Sequence, residues 1–329
     1  MSEKNVTIGI DLGGSYIKGV VLDDDGTILQ SMTRTTYDRG VDEGEEAGQG
    51  GAPTSSGEGA DESGGDVSAS WKSTIYDIVK ALKEQSPKPV SAIGLAAPGI
   101  AGPDNDRIIC MPERLQGLEN FQWAPFLEED PASVKVINDA QAALVAESFF
   151  GTGKGVSNII LLTLGTGVGG GVLINGELYQ GHFQRAGHLG HLTLDSRGKR
   201  GITNMPGSLE DAIGNESLYD RSLGKYSSTM ALVEAYQKGD TFATYVWLDS
   251  VRNLAIALCG MINAFAPEMV ILGGGITKAG KALFEPLEEF MPLYEWRPGD
   301  VITPVRQAFF DENAGAVGAA GYAMRKSTN

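Results

Sequence analysis

The chain has 329 residues, 42% of them hydrophobic, and a formal net charge of −16. Length and composition suit about two globular domains, each with its own core. The strong negative charge argues against nucleic acid or an anionic membrane surface as a partner, and no run of about 18 apolar residues predicts a membrane span. Because the first residues lead straight into a predicted strand without a signal-peptide core, we expect a cytoplasmic protein.

The N-terminal part predicts a three-stranded meander. Strands are predicted at residues 6–10, 16–22 and 27–30, and a glycine turn from Asp11 to Ser15 joins the first two. The segment from Asp38 to Asp66 then holds nine acidic residues, one basic residue and nine glycines. Such a composition cannot bury enough apolar surface to offset ordering entropy, so we predict a disordered acidic insertion at about residues 38–70. A tolerated surface-loop expansion is favoured there over a docking role.

Alternating helices and strands follow the insertion. Apolar residues at helical spacing predict a helix from Trp71 to Leu82, and buried strands are predicted at 91–97 and 134–137. The second of these ends in Asn138-Asp139 and leads into a helix predicted over 141–150. The two cysteines, Cys110 and Cys259, are far apart and offer neither a disulfide framework nor a thiolate metal cluster. We expect both to be buried, inert thiols.

The segment 159–180 repeats the opening plan: strand, glycine turn, strand, Asn-Gly turn, strand. Five glycines among residues 164–171 exceed what a tight hairpin needs. Glycines let backbone N–H groups converge on a phosphate, so we interpret this turn as a phosphate loop, to which Thr166 adds a hydroxyl donor. The remaining predicted elements are a helix at 247–265, a strand at 269–272, a helix at 278–290, a strand at 305–310 and a helix at 314–324. The repetition indicates two halves of one design.

Six motifs in the expected order resemble those of the ROK family (repressors, open reading frames, kinases). They are residues 11–19 (DLGGSYIKG), 138–140 (NDA), 164–171 (LGTGVGGG), 186–191 (AGHLGH), 206–210 (PGSLE) and 270–275 (VILGGG). The resemblance implies an α/β protein with a duplicated actin-like ATPase (ribonuclease H-like) fold, whose two α/β domains enclose a nucleotide and sugar cleft. The first domain is expected over residues 1–140, completed by a helix at 314–329, and the second over residues 141–312.

The same resemblance implies ATP and Mg²⁺ as cofactors. Asp11 would orient the magnesium ion through water, and Gly273 and Gly274 would pack against adenosine. The other residues that it places at the nucleotide are Gly13, Gly14, Ser15, Lys18, Gly165, Thr166 and Gly167.

A carboxylate at the C-terminal end of a parallel strand projects into the crevice where open α/β sheets bind ligands. We therefore expect Asp139 to be the base that accepts the proton of the attacking hydroxyl. Its alternative role is the N-cap of the helix that follows. The resemblance implies sugar contacts from Asn138, His188, His191 and Glu210.

Two departures from the family pattern stand out. The family's structural zinc needs one histidine and three cysteines, but no cysteine lies near residues 201–210, so we expect no thiolate zinc site. The family's Gly-Glu-x-Gly-His motif has a histidine, His188, in place of the sugar-binding glutamate. This leaves the sugar open.

These features favour a sugar kinase that transfers the γ-phosphoryl group of ATP to a hexose, with the 6-hydroxyl of glucose as the first candidate acceptor. The alternatives are a polyphosphate-using glucokinase, a kinase for an N-acetylated amino sugar, and a non-catalytic sugar-sensing protein. A repressor of the same family would carry a helix-turn-helix domain ahead of the fold, for which a first phosphate motif beginning by Ile8 leaves no room. We expect a homodimer with a sugar and a nucleotide as its small-molecule ligands.

Overall fold

The computed structural model describes residues 5–36, 70–111 and 115–326. The predicted acidic insertion therefore lies outside the described residues, apart from Ser70, which begins a helix. The strands are β1 (Val6–Leu12), β2 (Tyr16–Leu22), β3 (Ile28–Thr35), β4 (Val90–Ala97), β5 (Ile100–Ala101), β6 (Ile108–Cys110), β7 (Val134–Asn138), β8 (Ile159–Leu164), β9 (Val168–Ile174), β10 (Glu177–Leu178), β11 (Met269–Gly273) and β12 (Val305–Gln307).

The α-helices lie between and after these strands. They are α1 (Ser70–Gln85), α2 (Trp123–Phe126), α3 (Asp139–Phe149), α4 (Leu209–Ile213), α5 (Leu218–Arg221), α6 (Thr229–Gln237), α7 (Thr241–Phe265), α8 (Lys281–Tyr294) and α9 (Ala314–Lys326).

Two five-stranded sheets repeat one strand order. The first is β3-β2-β1-β4-β7 and the second is β10-β9-β8-β11-β12. In each sheet three consecutive strands form an antiparallel meander, and the last two strands run parallel to the first strand of that meander. The duplication predicted from the sequence is therefore confirmed in the topology.

The carboxyl ends of the parallel strands in the first sheet are level with one another. Asp11 lies opposite Ala96 on β4, and Ala96 lies opposite Ile137 on β7. Asp139 follows two residues after Ile137. The sheet therefore brings Asp11 and Asp139 to the same edge, although they are far apart in sequence.

Helix α9 returns from the C-terminus to the first sheet, where it packs on β1, β4 and α3. Glycines permit this close approach, because a Cβ at Gly9 or Gly94 would lie 1.9 Å from the carbonyl oxygen of a residue in α9. On the α3 side, a Cβ at Gly318 would lie 1.7 Å from the carbonyl oxygen of Ala142. Helix α3 packs its other face on the second sheet, where Ala143 and Leu144 join the buried residues of β8 and β9.

Helix α7 runs through the second core, where Trp247, Leu254 and Leu258 are buried. Among the described residues it is the one helix long and apolar enough to cross a membrane. It is 61% buried over its most apolar window, as expected of a core helix.

Several boundaries differ from the sequence prediction for local reasons. Helix α7 begins at Thr241 rather than at residue 247, because the Asp240 carboxylate caps it by accepting from the N–H of Ala243 at 2.7 Å. Helix α8 begins only at Lys281, since Gly280 has a φ of 55° and separates it from a 3-10 turn at residues 275–279. Strand β12 ends at Gln307.

The early end of β12 follows from a buried carboxylate on α3. Glu147 is fully buried and accepts from the N–H groups of Phe309 and Phe310 at 2.8 Å each. Those N–H groups are thereby withdrawn from the sheet.

The prediction that both cysteines are buried is correct for Cys259 and wrong for Cys110. Cys110 ends β6, which belongs to a separate two-stranded ribbon with β5. It therefore lies outside the two large sheets and is exposed.

Candidate active site

The first glycine turn joins β1 to β2 and is closed by its own backbone. The N–H of Gly13 donates to the carbonyl of Tyr16 at 3.0 Å, and the Thr36 hydroxyl donates to the Gly13 carbonyl at 2.7 Å. Gly14 and Ser15 are left at the exposed tip. The tip can present their N–H groups to an anion.

The second glycine turn joins β8 to β9 and is held from behind by the loop after α4. The N–H groups of Asn215 and Glu216 donate to the carbonyls of Gly165 and Thr166 at 2.9 and 3.0 Å. In a planar trans peptide the N–H points away from the C=O of the same unit. The N–H groups of Thr166 and Gly167 therefore point away from this loop.

The two turns use their first glycine in the same way. The N–H of Gly165 donates to the carbonyl of Gly167 at 2.9 Å, just as the N–H of Gly13 closes the first turn. Both N–H groups are engaged within their turns. In this conformation the N–H groups that could donate to a phosphate are those of Gly14, Ser15, Thr166 and Gly167.

Asp11 is the next-to-last residue of β1 and lies beside the N-terminal turn of α9. A Cβ on Gly315 would lie 2.5 Å from the Asp11 carboxyl carbon, so carboxylate and helix backbone are in direct contact. Burial, assisted by the charge of Asp139, raises the pKa of Asp11 to about 7, and the charge of Lys18 acts in the opposite direction. The Lys18 ammonium itself bonds to Glu312, at 3.0 Å to its carbonyl and 3.3 Å to its carboxylate.

Asn138, rather than Asp139, caps helix α3. Its Oδ1 accepts from the N–H groups of Ala140 and Gln141 at 3.0 and 3.2 Å, and its amide donates to the carbonyl of Gly99 at 3.0 Å. The N-cap role considered for Asp139 is therefore wrong. Asp139 is the exposed first residue of the helix. The Asn138 side chain is buried and retains one amide hydrogen beyond these bonds.

His188 and His191 stack in parallel, with ring centroids 6.2 Å apart and an interplanar angle of 5°. Nε2 of His188 and Nδ1 of His191 are buried and have no hydrogen-bond partner within the described part of the chain. Burial lowers the pKa of His188, and the charges of His191 and Arg185 lower it further. His188 is therefore neutral at neutral pH, with a polar atom available to a ligand.

Glu210 lies against the second glycine turn. Its Oε2 accepts from the N–H of Val168 at 2.9 Å, and a Cβ on Gly167 would lie 2.2 Å from that oxygen. At the start of the turn, Gly274 packs on the end of β8. Its φ is 86°, and a Cβ there would lie 2.4 Å from the Leu164 carbonyl oxygen. Gly273 precedes it as the last residue of β11. Glu210 thus contacts the end of the second glycine turn, and Gly274 contacts its start.

The acidic pair at this edge suits a divalent cation. Burial and the charge of Asp139 raise the pKa of Asp11, and Lys18 offsets the rise only in part. Carboxylate oxygens are the ligands that Mg²⁺ prefers. Asp11 is the residue that would hold the ion.

The segment that carries zinc ligands in the family is held here by backbone hydrogen bonds. The N–H of Gly201 donates to the Met205 carbonyl at 3.0 Å, and the N–H of Gly207 donates to the Lys199 carbonyl at 2.9 Å. The Arg200 guanidinium donates to the Asn204 carbonyl at 2.6 Å. Hydrogen bonds within residues 199–207 therefore close this loop.

We predict that the purified protein contains no stoichiometric zinc and that a zinc chelator which spares magnesium leaves its melting temperature unchanged. The loop at 199–207 lacks thiolates and closes on itself without a metal. Elemental analysis and thermal melts test this. One zinc per chain, or destabilisation by the chelator, would show the prediction to be wrong.

Comparison with known proteins defines the class. Residues 60–326 match the model of the ROK family, and the chain belongs to that family. Its fold is the duplicated actin-like ATPase fold, shared with the ROK hexokinase from Thermus thermophilus at a TM-score of 0.79 and 27% identity, over 98% of this chain and 99% of that one.

Two further relatives are glucokinases by name. The glucokinase of Thermotoga maritima is 31% identical, over 95% of each chain. A ROK family glucokinase from Streptomyces griseus, solved in complex with glucose and AMPPNP, has a TM-score of 0.74 and 25% identity, over 98% of this chain and 100% of that one.

Proposed function

We propose that the protein is an ATP-dependent hexose kinase, with glucose as the first candidate substrate and its 6-hydroxyl as the acceptor. The observation that carries the proposal is the pair of glycine turns, one in each half of the duplicated fold, together with Asp11 and Asp139 at one sheet edge. Phosphoryl transfer needs positioning, charge neutralisation and a base for the hydroxyl, with no covalent intermediate. The turns and carboxylates can meet each of these needs.

In this mechanism each group of residues has a separate role. The N–H groups of Gly14, Ser15, Thr166 and Gly167 bind the phosphates, and Asp139 accepts the proton of the attacking hydroxyl. Mg²⁺, when bound, would neutralise phosphate charge, and Asp11 is the residue that would hold it. We take residues 1–140 with the C-terminal helix as one domain and residues 141–312 as the other.

In this proposal the sugar is bound mainly by residues of the second half. Glu210, His188 and His191 lie near the second turn, and Asn138 contributes its remaining amide hydrogen. The unpartnered nitrogens of the two histidines support a polar ligand there, because buried polar atoms are normally hydrogen-bonded. The ATP analogue and glucose bound to the Streptomyces griseus relative support the choice of both substrates.

A coupled assay of ADP release across a panel of sugars tests the function. The panel holds glucose, mannose, N-acetylglucosamine and N-acetylmannosamine, with ATP and polyphosphate compared as donors. Sugar-dependent ADP release is the expected result. Sugar binding without turnover on any member would contradict the proposal and favour a sensor.

The substitution of histidine for the family's glutamate at residue 188 gives a specificity prediction. A neutral imidazole offers one donor and one acceptor, whereas a carboxylate only accepts, and a mismatched buried hydroxyl costs roughly 1 to 3 kcal/mol. We expect His188→Glu to change the ranking of kcat/KM among the four sugars of the panel. His182→Glu, at an exposed histidine, is the matched control.

The pH dependence of wild-type KM provides a second check on His188. Its pKa lies below the ordinary value of 6.5, so the ring becomes charged only as the pH falls below that value. Sugar KM should therefore be flat at neutral pH and change on acidification. An equal loss of activity on every sugar, with a KM independent of pH, would make His188 structural.

A further inference from the structure

Arg221, at the end of α5, is a half-buried arginine whose acceptors are uncharged. Its Nε donates to the Ser217 hydroxyl at 3.1 Å, one Nη to the Ser250 hydroxyl at 2.6 Å and the other Nη to the Gly214 carbonyl at 2.8 Å. Burial lowers its pKa to about 10, so the group is charged at neutral pH. Three acceptors in three directions suit the planar guanidinium and not the point charge of a lysine.

The groups that Arg221 ties together lie directly behind the second glycine turn. Gly214 begins the loop whose next two N–H groups hold the carbonyls of Gly165 and Thr166. A Cβ on Gly214 would lie 2.9 Å from the Thr166 carbonyl oxygen, so loop and turn are in contact. Ser250 lies on α7, the long helix of the second core. Arg221 therefore connects the loop at 214–217 to the long helix of the second core.

We propose that Arg221 is a positioning residue for the nucleotide site. By fixing the loop at 214–217 to α7 it sets the orientation of two peptide units in the second glycine turn, and thus directs the N–H groups of Thr166 and Gly167 toward the nucleotide phosphates. The identity of the ligand rests on the proposed kinase function. The orientation of the turn does not, and it can be measured without any ligand.

The first measurement is amide hydrogen exchange of the free protein. In Arg221→Met the Asn215 and Glu216 amides should exchange about tenfold faster or more. The substitution removes the hydrogen bonds by which the charged guanidinium holds Gly214 and Ser217, on either side of these two residues. Arg221→Lys should fall between wild type and Arg221→Met. The control is Arg252→Met, an exposed arginine on α7 that stacks on Phe290. It should leave these amides unchanged.

The second measurement is kinetic. Arg221→Met should raise KM for ATP about tenfold and lower kcat, while KM for the sugar stays within twofold, and millimolar guanidinium should restore activity to Arg221→Ala. Ser250→Ala removes one acceptor and keeps the charge, so it should give a smaller change in the same direction if Arg221→Met fails to fold. Unchanged exchange at residues 215 and 216 overturns the proposal whatever the enzyme's activity. Altered exchange without any turnover would count against the kinase function alone.

Discussion

Asp139→Asn is expected to lower kcat by about 10² or more and to leave sugar binding nearly intact. A carboxamide has almost the shape of a carboxylate but cannot accept the hydroxyl proton. The fold should tolerate the change, because Asn138 caps α3 and the asparagine oxygen can still accept from the Ala140 N–H, as the Asp139 carboxylate does at 2.8 Å. The negative charge that is lost from the first turn is worth about 0.3 to 1 kcal/mol. Steady-state kinetics and sugar titration of the variant measure the two effects separately.

The same variant has an electrostatic consequence. The charge of Asp139 helps to raise the pKa of Asp11, so its removal should bring the pKa of Asp11 down from about 7, as carboxyl NMR titration would record. Asp300→Asn, an exposed carboxylate in the turn at 298–300, is the matched control and should change neither kcat nor that titration. Turnover of Asp139→Asn at the wild-type rate would remove Asp139 from the mechanism.

The sequence was most informative where the structural signal is local. A few consecutive residues are enough to predict each glycine turn. The recurrence of the turn predicts the duplicated fold, which the strand order confirms. The placement of Asp11 and Asp139 at the same edge of the first sheet also follows, since parallel strands end at one edge of the sheet. Motif order then gives the family.

Details that depend on the exact backbone path at a turn or helix start could not be predicted. Asn138 and Asp139 are adjacent and both favour an N-cap, and only the path of the chain out of β7 decides which one takes it. The engaged N–H groups of Gly13 and Gly165 likewise depend on turn geometry that glycine content does not specify.

Contacts between distant parts of the chain were also beyond sequence reasoning. Glu147 on α3 accepts the N–H groups that follow β12 and so ends that strand. Arg221 bonds to the loop that holds the second glycine turn. Neither belongs to a recognised motif. For Glu147 the available signal was a charged residue in the mostly apolar interior of α3, since buried charges are usually paired or hydrogen-bonded.

Gly315→Ala is expected to disable the enzyme while leaving the fold in place. The new Cβ would lie 2.5 Å from the Asp11 carboxyl carbon, and α9 is packed closely on the first sheet at Gly9 and Gly94, so the carboxylate is the more movable of the two partners. The Asp11 carboxylate must therefore move. A misplacement of about 1 Å in a catalytic site can cost about 10² in rate, so we expect a loss of that order in kcat, with a raised requirement for Mg²⁺.

Stability should change little in Gly315→Ala, because alanine favours a helix over glycine by up to about 1 kcal/mol and so offsets part of the strain. Kinetics over a Mg²⁺ titration, a thermal melt and a crystal structure of the variant measure the three effects. The matched control is Gly260→Ala in α7, where a Cβ would meet no atom within 4 Å, and it should melt slightly higher at unchanged kcat. Full activity of Gly315→Ala, with Asp11 displaced in its crystal structure, would show that the position of this carboxylate does not control phosphoryl transfer.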